Sequence, residues 1–347
     1  MKIEIHSPTI RRKEMDAVLT AMVEEKIGPG ERNRLLIQTA KEQLSFDYAL
    51  ALRSPAVALH LALKALGVKQ GQGVVISALS PLYYLQVLQD LQLTPVFCDV
   101  TYDFPCMSRE LIENTIAKKD AELEICAIVL HHTLGFVPDT ASINELSFPV
   151  IEDISQSYTN TVHGIFCILG LEERDMLTSG GGALLFAMNR KDSFALRNLS
   201  GSQNESGRKS PGIPGEYCLP DINAALAVVQ FKEFSRNMER RRDIAEVYMQ
   251  ASLRTRHKRF IPINDNEYCN YSFSMILETG LKDVVAYAKK KEIEIENAFE
   301  NTIAGAGFCD VCPVSSSLCL RTVLFPMYPR LRSQDVERVS RIITTLP

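Results

Sequence analysis

Pro149-Val150-Ile151-Glu152-Asp153-Ile154-Ser155-Gln156-Ser157 is the stretch on which the fold turns. A short apolar run ends in two acids, and small polar residues follow. That is the pattern of a strand buried on both faces whose carboxyl end meets a polar site. Working upstream, Ile125 to Leu130, Pro95-Val96-Phe97 and Val74-Val75-Ile76 read as further buried strands, with Ala49-Leu50-Ala51-Leu52 before them. Ser54 at an N-cap and Pro55 at the first helical position open an amphipathic run from Ala56 to Leu66, and Gly67 sits where a helix stop belongs. The other intervals are long enough for crossover helices. Strands separated this way imply βαβ units, hence an α/β fold with a mainly parallel sheet covered on both faces. Such sheets bind ligands at the carboxyl ends of their strands, and Asp99 and Asp153 stand at two such ends.

Downstream, Pro220-Asp221 opens a long helix. Its apolar stripe is Phe231, Phe234, Met238, Ala245 and Tyr248, and Arg240-Arg241-Arg242 falls largely off that stripe as a solvated face. After residue 250 the pattern changes to a smaller α+β unit. Tyr271 to Leu277 reads as a strand, Leu281 to Lys291 as a helix and Arg321 to Phe325 as a strand. Ser333 caps a final helix with the stripe Val336, Val339, Ile343 and Leu346. Gly201 to Gly215, rich in Gly, Ser and Pro, reads as a mobile loop. The 347 residues exceed what one core usually supports, and divide into a large α/β domain (1–235) and a small C-terminal α+β domain (236–347).

Composition narrows the function classes. Hydrophobic residues are 46% and charged residues 23%, with a formal net charge of -4. That balance gives no electrostatic attraction to nucleic acid or to an anionic membrane. No segment approaches the roughly 18 apolar residues of a membrane span, and the charged start Met1-Lys2-Ile3-Glu4-Ile5-His6 lacks a signal-peptide core. The expectation is a cytoplasmic protein. Nine scattered cysteines fit that compartment. Cys309-x-x-Cys312 with Cys319 lacks a fourth ligand nearby, so buried thiols rather than a metal site are expected. His131 and His132, at a strand end, read as packing or turn residues, and Gly180-Gly181-Gly182 as a turn between strands without a Walker lysine.

Several segments, in order, resemble the DegT/StrS-type sugar aminotransferases, a fold-type-I family dependent on pyridoxal phosphate (PLP). Gly28-Pro29-Gly30 falls at the family's amino-terminal Gly-rich turn. Pro95 to Val100 is similar to its "TPVFVDV" strand, and His132-x-x-Gly135 to its "VHLYG" turn. Ile151 to Ser157 is similar to "IEDAAQA", Leu177 to Gly182 to "LTTGEGG", and Pro326-Met327-Tyr328-Pro329 to "LPLYP". The resemblance implies the fold-type-I architecture, a homodimer with PLP at the subunit interface, and amino transfer to a keto sugar nucleotide. It puts Asp153 against the pyridine nitrogen, where a carboxylate keeps the ring an electron sink, and Gln156 beside the ring hydroxyl.

The same resemblance exposes what this chain lacks. The family's Schiff-base lysine falls on Asp175, and no lysine occurs between Lys119 and Lys191. Only a primary amine forms the internal aldimine; a carboxylate could serve only as a general base. The "SGT" phosphate turn has become Arg53-Ser54-Pro55, and Pro55 has no N–H to offer. The Ser-Phe ahead of the lysine is Gly170-Leu171, the acid of "GEGG" is Gly181, and the asparagine and arginine of "GYNYRM" fall on Glu216 and Cys218. A carboxylate about 4 Å from a phosphate opposes it by a few kcal/mol at an intermediate dielectric.

Two expectations follow. In the first, the chain is a non-catalytic or regulatory homologue that binds a sugar nucleotide, as a homodimer or in a heterodimer with an active paralogue. In the second, it is a PLP- or pyridoxamine-phosphate (PMP)-dependent aminotransferase or 3-dehydrase-like enzyme of polysaccharide biosynthesis. There the cofactor is held without a covalent bond and Asp175 acts as base. The family's dehydrase branch, which replaces the lysine by histidine, is the precedent.

Overall fold

The computed structural model describes residues 2–119, 122–199, 212–263, 268–278 and 280–347. Seven strands make the larger sheet: β1 (Tyr48–Leu52), β2 (Gly73–Ser77), β3 (Thr94–Cys98), β4 (Ile125–His131), β5 (Val150–Asp153), β6 (Phe166–Gly170) and β7 (Ala183–Ala187). Their order is β1-β7-β6-β5-β4-β2-β3. The run β3-β2-β4-β5-β6 is parallel throughout, whereas β7 is antiparallel to both its neighbours. The reason is local. Residues 171–182 join β6 to β7 with no crossover helix, so the chain can only return antiparallel. Gly180, Gly181 and Gly182 end that connection with φ of 75°, 137° and 138°, conformations that favour glycine.

The sheet is covered on both sides by α1 (Arg12–Val23), α2 (Glu31–Leu44), α3 (Pro55–Ala65), α4 (Tyr83–Asp90), α5 (Arg109–Ala117), α6 (Thr140–Asn144), α7 (Arg190–Leu199) and the long α8 (Asp221–Ser252). Strand side chains alternate between the two layers. Val74, Ile76, Val129 and Ile168 pack with α3, α4 and α7 on one face. Val75, Ile128 and Leu130 meet α5 and α6 on the other, where Leu169 and Phe186 meet α2 and α8. The expected strands and the helix after Ser54 all form. Ser54 caps α3 by accepting from Val57 N at 3.2 Å, and Gly67 follows the helix at φ 71°. Strand β6 was not read from the sequence.

The smaller sheet, β8 (Phe273–Ile276), β9 (Glu296–Asn297) and β10 (Thr322–Phe325), is antiparallel in the order β8-β10-β9. With α9 (Leu281–Lys290), α10 (Pro313–Cys319) and α11 (Ser333–Thr344) it completes the chain. Its core takes Ile244, Ala245 and Tyr248 from α8, while Ala224, Val228 and Phe231 of the same helix belong to the larger core. Between Phe231 and Ile244 the side chains of α8 pass from one core to the other. Ile3 also joins the smaller core, through a parallel bridge to Ile293.

Five expectations need correction or placement. Ser333 is the first residue of α11, not its cap; Arg332 takes that position and its guanidinium pairs with Asp335 at 2.8 Å. Arg241 is not solvated but buried, and its Nη1 donates to the carbonyls of Tyr271 and Met327, each at 2.8 Å. Asp99 faces no ligand site: it accepts from Val314 N, Ser315 N and Ser315 Oγ and so holds the start of α10. Most of the Gly201–Gly215 segment lies outside the described residues. Cys309 and Cys312 are buried free thiols in the larger core, and Cys319 is a third buried thiol in a neighbouring cluster.

Candidate active site

Strand β5 delivers Asp153 to the carboxyl end of the parallel sheet, where a cavity of about 390 Å³ opens between the two cores. Pro55, Tyr83, His131, Asp153, Gln156, Asp175 and Tyr271 line it, as do residues Glu296 to Thr302 of the smaller unit. Four of the five residues singled out from the sequence thus meet in one place: Pro55, Asp153, Gln156 and Asp175. Ser54 does not line it; its hydroxyl is engaged at the N-cap of α3. Glu216 and Cys218 lie away from it in this chain, beside the bridge between Leu52 and Cys218.

Asp153 is almost wholly buried, and protein donors surround it. Its Oδ2 accepts from the hydroxyls of Tyr83 and Tyr84, both at 2.8 Å. Its Oδ1 accepts from Ser155 N at 3.0 Å and from Ser155 Oγ. A carboxylate offers about four lone-pair sites, and here four donors are in place. Burial first, and then the adjacent carboxylate, raise both phenols well above their ordinary range, so they remain donors. The Tyr83 and Tyr84 rings meet edge-on, with centroids 4.9 Å apart. His131 contacts Tyr84 edge-on and shares a 3.0 Å hydrogen bond with Thr133; burial lowers its pKa, which favours the neutral ring.

The turn after β4 supports the same wall. Leu134 adopts φ 56°, and its N–H donates to Gln156 Oε1 at 2.7 Å. Gly135 follows at φ 88°, and a Cβ there would stand 2.1 Å from the Cys269 carbonyl oxygen. The amide nitrogen of Gln156 has no protein partner among the described residues. Behind the wall, His132 bridges Ser157 Oγ at 2.8 Å and Glu152 Oε2 at 3.2 Å. Glu152 also accepts from His163 N and Gly164 N. All three side chains are buried, so this network fixes the shape of β5 rather than facing the cavity.

Asp175 reaches the cavity from the β6–β7 connection. Its Oδ2 accepts from Glu172 N at 2.8 Å. A Cβ on Gly170 would lie 2.3 Å from that same oxygen and 2.8 Å from Ser155 Oγ. The glycine therefore makes the room that the carboxylate fills. Burial, reinforced by the charges of Asp153 and Glu172 against the bond from Glu172 N, pushes the Asp175 pKa up to about 8.

Acids outnumber bases in the cavity. Asp153, Glu172, Glu296 and Glu300 face it with Asp175, which its raised pKa keeps largely protonated near neutral pH, and Arg174 is the only Lys or Arg among the described lining residues. Arg174 Nη1 is held by Glu296, at 2.8 and 2.9 Å to its two oxygens. At the start of α3, Pro55 has no N–H and Val57 N is engaged by Ser54. Sequence reasoning missed Tyr83, Tyr84, Arg174 and Arg241. The first two stand in an apolar helical run, where tyrosine reads as packing.

The model of the DegT/DnrJ/EryC1/StrS aminotransferase family matches residues 8–344. Among solved structures, a DegT/DnrJ/EryC1/StrS aminotransferase from Brucella abortus is similar at 21% identity and a TM-score of 0.85, over 95% of this chain and 94% of that one. The aminotransferase TlmJ from Streptoalloteichus hindustanus is similar at 19% identity and a TM-score of 0.84, over 99% and 98%. An E. coli GDP-4-keto-6-deoxy-D-mannose-3-dehydratase with bound hydrated PLP is similar at 15% identity and a TM-score of 0.84, over 99% of both chains. These likenesses carry the fold, a fold-type-I architecture, and the family match over nearly the whole length carries the kinship. The chain belongs to the DegT/DnrJ/EryC1/StrS aminotransferase family.

Proposed function

We propose that this chain is a member of the family that forms no internal aldimine and works as a non-catalytic or regulatory subunit that binds a sugar nucleotide. The observation that carries the reading is the Asp175 carboxylate, packed over Gly170 where the resemblance puts the lysine. A carboxylate has no amine to condense with an aldehyde. The remaining lining argues against PLP itself. Five acids face the cavity, its one arginine is engaged by Glu296, and the start of α3 offers a phosphate little. The residues present do not fit the cofactor.

Assembly with a second copy or with an active paralogue is part of the same proposal. Met15, Leu19, Met22 and Val23 of α1 are exposed, as are Ile27 and Leu35. Apolar side chains at successive helical turns facing outward support a protein partner. No helix among the described residues is long and apolar enough to cross a membrane.

One observation favours the second reading, a 3-dehydrase-like enzyme using unattached PLP or PMP. An acid with a pKa near 8 suits a general base, and Asp175 lies in the cavity. The experiment that separates the two adds PLP or PMP to the purified full-length chain, follows absorbance and melting temperature, and assays a keto sugar nucleotide with glutamate. The non-catalytic reading expects no aldimine band and no turnover. Turnover with PMP and no aldimine band overturns it in favour of the dehydrase-like enzyme.

A further inference from the structure

We propose that Tyr83 and Tyr84 are the residues that close the pyridine end of the ancestral cofactor site, by occupying the acceptor atom of Asp153 that a pyridinium N–H would need. This rests on the functional reading above and adds to it. An aspartate at position 175 explains why no aldimine forms; it says nothing of the contact that the pyridine nitrogen would make. The two hydroxyls converge on one oxygen, Asp153 Oδ2, each at 2.8 Å, while Ser155 fills Oδ1 from its N–H and its hydroxyl. With four donors on about four lone-pair sites, a fifth donor must displace one of them. Tyr84 is fully buried and has no alternative rotamer space without disturbing the core it shares with Leu88 and Val129. Tyr83 lines the cavity directly. Its hydroxyl therefore competes for Oδ2 with any donor that enters the cavity, which Asp153 also lines.

The arrangement also keeps a buried charge satisfied without a ligand. An unpaired carboxylate at this depth would be strongly unfavourable, and two phenols replace the single donor that a protonated ring would supply. The site is thus stable when empty, which is what a subunit that has given up its cofactor requires. Tyr83 and Tyr84 are positioning residues in this sense: they act on the ligand through Asp153.

The test uses the full-length chain with PLP as probe, in three forms: Asp175→Lys, Asp175→Lys with Tyr83→Phe, and Asp175→Lys with both Tyr83→Phe and Tyr84→Phe. Borohydride reduction followed by peptide mapping reads the adduct at position 175, and a titration of the visible aldimine band reads affinity. Asp175→Lys alone is expected to bind PLP weakly. Adding Tyr83→Phe is expected to tighten binding at least about tenfold, the change that frees one charge-assisted acceptor. If the double phenylalanine form melts too low to assay, the Tyr83→Phe form decides, since it leaves Tyr84 on Asp153. Equal affinity with and without the phenylalanines overturns the proposal and leaves the functional reading standing. Turnover of a keto sugar nucleotide by the unaltered chain supplied with PMP overturns the functional reading instead.

Discussion

Asp175 is held by burial and by the nearby charge of Asp153 at a pKa of about 8, against an ordinary value of 3.8. The folded chain thus keeps a proton on it that the unfolded chain releases, over the interval from about 4 to about 8. Between those values the native state binds more protons, so stability falls as pH rises, and the penalty is complete only above the folded value. Asp175→Asn removes the ionisation. Relative to the parent, it is expected to be stabilised by about 1–2 kcal/mol at pH 9, a figure reduced for the water that reaches the side chain through the cavity. The difference should vanish near pH 4. Urea denaturation of the two proteins across that range measures it. A constant difference at every pH would contradict the assignment. At this scale the sequence is informative in part. The acid at the end of β5 and the aspartate where the resemblance puts a lysine are visible because each sits in a short stretch of recognisable order. The tyrosines that complete the site are 70 and 69 residues from Asp153 in the chain, and nothing local marks a hydroxyl for so distant an acceptor.

Among the elements, α8 binds the molecule together. Its first residue, Asp221, caps a different helix: the carboxylate accepts from Gly30 N, Arg32 N and Asn33 N at 2.8 to 3.0 Å. A Cβ on Gly30 would stand 2.9 Å from that carboxylate, which explains a glycine in the Gly28-Pro29-Gly30 turn. Farther along, Arg241 ties α8 to Tyr271, which lines the cavity, and to Met327. Arg241→Met keeps most of the side-chain volume and leaves those buried carbonyls without their donor. It is expected to cost about 3 kcal/mol in chemical denaturation; a loss under about 0.5 kcal/mol would show that water replaces the guanidinium. Helical periodicity located α8 correctly but read Arg240-Arg241-Arg242 as one solvated run. Periodicity assigns a face by the stripe of apolar residues, and a buried cation that serves backbone carbonyls is invisible to it. Strand β6 escaped for a related reason: Phe166-Cys167-Ile168-Leu169 is as short as a turn-flanked core segment of any kind.

At the scale of the whole molecule, a parallel sheet brings the carboxyl end of β5 against the smaller unit, and the cavity forms where their surfaces meet. That placement is the one open α/β sheets use for ligands. The frame is well packed: the seven-stranded sheet carries buried clusters on both faces, the smaller unit has its own, and the network of His132, Glu152 and Ser157 is fully buried. Pro55, Tyr83 and Asp175 line the cavity, while Gly170 and Tyr84 adjoin Asp175 and Asp153; on the function proposed above, each removes something PLP would use or puts a protein group in its place. On that proposal, this family member keeps the fold while its own side chains occupy the acceptor that the cofactor would need. A crystal of the full-length chain soaked in PLP tests it most directly. The Tyr83 and Tyr84 hydroxyls are expected to remain on Asp153, with no covalent density from any side chain in the cavity. A pyridine ring with its nitrogen on Asp153, joined covalently to the protein, would contradict it.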